Sequence, residues 1–106
     1  SPAMGSVVSD DTEGLLKLIS LGLDVNQHIS FNEFDMSLFE FACFHGARKC
    51  VHVLIEAGVT VTAESVLNCL DPNLMDTVHK AYYSQNPPKS RMQRVASAVK
   101  RLIWAS

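Results

Sequence analysis

Cys43-Phe44-His45 and Cys50-Val51-His52 place a thiol and an imidazole two residues apart, twice. Both side chains are zinc ligands, so the doubled Cys-x-His invites a metal reading. The spacing argues against it. Residues three or four apart share a helix face, whereas residues two apart diverge. The paired Cys-x-x-Cys spacing of zinc sites is also missing. A nucleophilic cysteine would need a neighbour that stabilises the thiolate and a base oriented by a third group. His28, His45, His52 and His79 could supply that base only through a proximity that the sequence does not show. No nucleophile elbow, phosphate-cradling glycine loop or paired-carboxylate motif stands in the chain. The expectation is a chain without a catalytic set, a metal or a cofactor.

Two other groups suit recognition. Phe31 and Phe34 lie in an otherwise polar stretch, and exposed aromatic side chains often become binding hot spots. Large aromatics seldom stay bare, so the opposing reading is that the loop folds back and buries one of them. At the other end, Lys89, Arg91, Arg94, Lys100 and Arg101 precede Trp104 with no acid among them. All 11 acids stand elsewhere, against the four remaining bases. A basic amphipathic helix of this kind could meet a calmodulin-like partner or a lipid surface. It could also meet nucleic acid, although no aromatic interleaving supports base stacking. The plainer expectation is a helix that docks its apolar face and leaves the basic one wet. Nucleic acid and membrane are therefore the disfavoured partners.

Composition narrows the class. A hydrophobic fraction of 47%, a charged fraction of 19% and a net charge of −2 suit a folded domain. No apolar run approaches the roughly 18–20 residues that cross a bilayer. Three cysteines, an odd number embedded in apolar pattern, predict reduced thiols and an intracellular setting, cytoplasm or nucleus. Ser1–Ser6 lacks both a basic flank and an apolar stretch and is set aside as a cloning remnant.

The elements that position these residues follow from capping and periodicity. A first helix opens near Asp10–Thr12, buries Leu15, Leu16, Leu18 and Ile19, and stops at Gly22. Residues 23–35 fit no helical period and predict an extended hairpin or loop. Ser37 and Glu40 form a capping box for a helix over Leu38–Phe44. After Gly46 a second helix runs Ala47–Ala57, closed by Gly58. Weaker pattern predicts helices over Glu64–Leu70 and Asn73–Tyr83. A break follows at Ser84–Pro88, and a last helix starts from Ser90 with Met92, Val95, Ala96, Val99, Leu102 and Ile103 on one face.

Leu15–Asn26 and Val51–Thr62 repeat one design 36 residues apart: Leu15 matches Val51, Leu18 Leu54, Ile19 Ile55, Gly22 Gly58 and Val25 Val61. A period in this range signals stacked units. The copies resemble ankyrin repeats. Gly46–Thr62 is similar to the family's second helix and following loop, and Gly22-Leu23-Asp24-Val25-Asn26 carries its Gly-x-Asp-Val-Asn ending. Ser37–Ala42 aligns with the family's Thr-Pro-Leu-His-x-Ala, with Leu38 in place of proline and Glu40 in place of histidine.

The resemblance implies an all-α chain: a short ankyrin-type stack of antiparallel helix pairs, one long hairpin or loop finger and a C-terminal capping helix. Its parts are a first half-repeat and finger (7–36), a complete repeat (37–62), a degenerate repeat (63–83), and a linker with capping helix (84–106). It also implies a protein–protein interaction module, a scaffold or adaptor domain of a larger protein. Such a module would bind a partner peptide or helix, or a second copy of itself. The matching contact positions are Phe31, Asn32, Glu33, Phe34, Met36, Phe44 and His45. The alternative is a regulatory tail acting through Lys89, Arg91, Arg94, Lys100, Arg101 and Trp104.

Overall fold

A computed structural model describes residues 2–87. In chain order it contains α1 (Pro2–Val8), α2 (Thr12–Ser20), β1 (His28–Phe31), β2 (Phe34–Ser37), α3 (Leu38–Phe44), α4 (Arg48–Glu56), α5 (Ala63–Asn68) and α6 (Pro72–Gln85). The described part is therefore mostly helical, with a single two-stranded antiparallel sheet. Helices pair in sequence, α1 with α2, α3 with α4 and α5 with α6. Across the pairs, α3 lies between α1 and α5, while α2 lies against α4. The helix expected from Ser90 falls outside the described residues.

The stops and starts have local causes. Gly22 and Gly58 adopt φ of +101° and +89°, the left-handed region that costs a side chain energy. Each ends its helix in the same way. The Gly22 N–H donates to Ile19 O and the Leu23 N–H to Leu18 O; Gly58 and Val59 repeat this with Ile55 and Leu54. Asp11, Ser37, Thr62 and Asp71 accept backbone N–H groups at the starts of α2, α3, α5 and α6. In the capping box of α3 the Glu40 N–H donates to Ser37 Oγ at 3.0 Å. The Glu40 carboxylate is met at 3.3 Å by the serine hydroxyl, where the sequence pattern points to the serine N–H.

Helix α4 has Ala47 at its start and no cap of its own. Asp10, in the turn between α1 and α2, supplies one from a distance: its Oδ1 accepts the Cys50 N–H at 3.0 Å. Later turns are tied similarly. Asn26 Oδ1 accepts the Thr60 N–H at 2.8 Å. Gln85 clamps the same loop, accepting from Val61 N–H at 2.8 Å and donating to Val59 O at 2.7 Å.

The core centres on α3, where Leu38, Phe39, Phe41, Ala42 and Cys43 are all buried. Leu15, Val51, Leu54, Val59, Val61, Leu74 and Val78 surround it. Two expectations need correction. Residues 2–6 do not stand apart from the fold, because α1 runs Pro2–Val8 and fully buries Ala3 and Val7. These two sit four apart on one helix face, and a boundary drawn after Ser6 separates them. The part before the finger thus holds two helices where the pattern indicates one. Leu16, expected inside, is 52% exposed. It sits about 100° around α2 from Leu15, away from the face that carries Leu18 and Ile19.

Candidate binding groove

The sheet is the finger expected between Leu23 and Asp35, paired in the register His28↔Ser37, Ile29↔Met36, Ser30↔Asp35 and Phe31↔Phe34. Asn32 and Glu33 form its two-residue turn with φ of 49° and 69°, the positive pair that marks a hairpin turn matched to strand twist. Alternation places Ile29, Phe31, Phe34 and Met36 on one face of the ribbon. Ile29 is buried, and Phe31 and Met36 are partly buried. Phe34, beside the turn, is 68% exposed.

The two aromatic residues therefore separate. Phe31 packs edge-on against Phe41 at 5.2 Å and His45 at 5.5 Å, with Phe41 and His45 themselves 4.4 Å apart between ring centroids. It is part of the wall that holds the finger on α3. Phe34 has no such ring partner among the described residues and faces a hollow of about 290 Å³. Asp35, Met36, Glu40, Phe44, Asn68 and Leu70 line the rest of it. An adjoining hollow of about 340 Å³ shares Phe44, Asn68 and Leu70 and continues along Cys43, His45, Gly46 and Asp71. Together they form a groove from the finger across α3 to the end of α5. Phe44 is 66% exposed in it and Leu70 77%.

Of the residues implied by the family resemblance, Phe34, Met36 and Phe44 meet in the first hollow and His45 in the second. Asn32 and Glu33 occupy the turn and line neither, and Phe31 turns toward the core. Lys89, Arg91, Arg94, Lys100, Arg101 and Trp104 lie outside the described residues. The pattern did not single out Asp35, Glu40, Asn68 or Leu70 as groove residues. One signal could have found Leu70: eight residues separate Ser37 from His45, and eight separate the cap residue Thr62 from Leu70.

Of the cysteines only Cys43 reaches the groove, in the lining of the second hollow. All three are buried and unpaired as disulfides. Burial, then the neighbouring Cys69, pushes the Cys43 thiol well above its ordinary range. Burial and the Asp10 hydrogen bond push Cys50 up to about 12. Both shifts run opposite to nucleophile activation, which requires a lowered value. His45 and His52 are exposed while Cys43 and Cys50 point inward, the divergence that a spacing of two predicts. Among the described residues no three His, Cys, Asp or Glu side chains gather as a metal set. No described helix is long and apolar enough to cross a membrane. No family model, curated protein or solved structure matches the chain.

Proposed function

We propose that this chain is a short ankyrin-type stack acting as a non-catalytic protein-interaction module, a scaffold or adaptor piece of an intracellular protein. Its partner is a peptide or helix laid in the groove between finger and α3. The reading rests on one observation: Phe34, Phe44 and Leu70 are each at least 66% exposed around a single hollow, supplied by β2, α3 and the connection after α5. Clustered large apolar groups of this kind mark interaction surfaces, whereas scattered ones do not. The sequential helix pairs, with α1, α3 and α5 in one row and the finger projecting beside them, support the stack.

The test compares intact protein with Phe34→Ala/Phe44→Ala in affinity capture followed by mass spectrometry. Specific partners should disappear from the double variant while its melting temperature stays close to that of the parent. An identical set of captured proteins from both forms would refute the groove as the binding site.

A further inference from the structure

Among the described residues the basic side chains are sorted by element, while acids occur on both kinds. Among the described residues the lysines and arginines are Lys17 on α2, Arg48 and Lys49 on α4, and Lys80 on α6. The finger and the row α1, α3, α5 carry Glu33, Asp35, Glu40 and Glu64 and no lysine or arginine. Asp35 and Glu40 belong to the lining of the hollow itself, beside Phe34, Met36, Phe44 and Leu70. Glu40 is held in place by the Ser37 hydroxyl at 3.3 Å in a partly buried setting. Neither carboxylate has an ion-pair partner among the described residues. Asp71, at the far end of the groove, is already engaged by Arg48 at 3.8 Å.

From this, and resting on the interaction reading above, we infer that the groove takes a cationic amphipathic segment of a partner protein. Large apolar side chains of that segment enter the hollow among Phe34, Phe44 and Leu70, and its lysines or arginines meet Asp35 and Glu40. The division of labour is physical. Apolar anchors in a desolvated pocket supply most of the affinity. Two carboxylates on its wall, without an ion-pair partner among the described residues, favour a basic partner, speed its encounter and repel an acidic one. A purely polar basic chain leaves the apolar floor uncovered, and a neutral one leaves the carboxylates partly dehydrated without a partner.

Display selection from a random peptide library of about 16 residues tests this, with the full chain as bait and Phe34→Ala/Phe44→Ala for counter-selection. Groove-dependent peptides should combine large apolar residues with an excess of lysine and arginine. They should lose about tenfold in affinity toward Asp35→Asn/Glu40→Gln, the size expected of two partly exposed charge contacts. Groove-dependent peptides that are neutral or acidic would overturn the inference while leaving the interaction reading intact. The absence of any groove-dependent peptide would overturn both. Two results would assign the groove to other occupants and equally overturn the inference. One is a dimer in sedimentation that Phe34→Ala/Phe44→Ala dissolves. The other is peptide binding that emerges only after charge reversal of Lys89, Arg91, Arg94, Lys100 and Arg101.

Discussion

Truncating the finger's two aromatic residues separately should give opposite kinds of damage. A buried phenylalanine cut to alanine costs about 3–5 kcal/mol. Phe31 is largely but not fully covered and sits edge-on to Phe41 and His45 at 5.2 and 5.5 Å. Its loss should therefore cost about 2–3 kcal/mol, including the aromatic contacts at roughly 0.5–1.5 kcal/mol each. Phe34 keeps 68% of its surface in solvent, so Phe34→Ala removes only about a third as much covered area. It should cost under about 1 kcal/mol. In urea, with a slope of about 1–2 kcal/mol per molar, Phe31→Ala shifts the midpoint by more than about 1 M and Phe34→Ala by less than about 0.5 M. The slope itself should not change, and far-ultraviolet circular dichroism should superimpose for both variants in the absence of denaturant. Binding separates them in the other direction: Phe34→Ala weakens groove-dependent capture at full folding, whereas Phe31→Ala weakens it in step with stability. A midpoint shift for Phe34→Ala as large as that for Phe31→Ala would refute the assignment of one ring to the wall and the other to the groove.

Three more outcomes follow from single contacts. Asp10 caps α4 from another helix pair and stands at φ 52°, so Asp10→Ala loses about 1–2 kcal/mol of capping and about 1 kcal/mol of left-handed backbone preference. Asp10→Asn keeps an acceptor and tolerates that φ; chemical denaturation should place it within about 0.5 kcal/mol of the parent, and equal damage from both variants would refute the tertiary cap. Gln85 both accepts from and donates to the loop over Val59 and Val61, so Gln85→Glu should destabilise at least as much as Gln85→Ala, because a carboxylate cannot donate to Val59 O. Equal stability of Gln85→Glu and the parent at pH 7 would remove the clamp. Finally, the native thiol values lie above the ordinary 9.0, Cys50 at about 12, so folding holds the protonated form. That contribution is fully present below pH 9 and falls as pH rises toward 12, by up to about 1.4 kcal/mol per pH unit and thiol. Denaturation at stepped pH should show this decline, and thiol reagents at pH 8 should modify Cys43 and Cys50 only after unfolding; fast labelling of the native protein would contradict their burial.

Helices α2, α3 and α4 and their ends were legible in the chain because their causes are local. Ser37 with Glu40 and the glycines at 22, 46 and 58 each act within one turn of where they stand. Apolar spacing likewise placed α2, α4 and the finger between them. What side chains do on an element's surface depends on what arrives from elsewhere. Phe31 and Phe34 are chemically the same, in the same ribbon and on the same face; only the distance of each from α3 makes one a wall and the other a groove residue. Leu70, read from the sequence as the end of a helix, becomes groove lining because α5 ends at Asn68 and leaves it beside Phe44. The long-range contacts of Asp10 with Cys50 and of Gln85 with Val59 have no local signature, since hydrogen bonds between distant turns leave no period in the chain. Sequence alone thus determined where α2, α3 and α4 form and stop; tertiary packing drew α1 into the fold and decided which apolar and acidic groups share a surface, because that choice belongs to pairs of elements and to neither one alone.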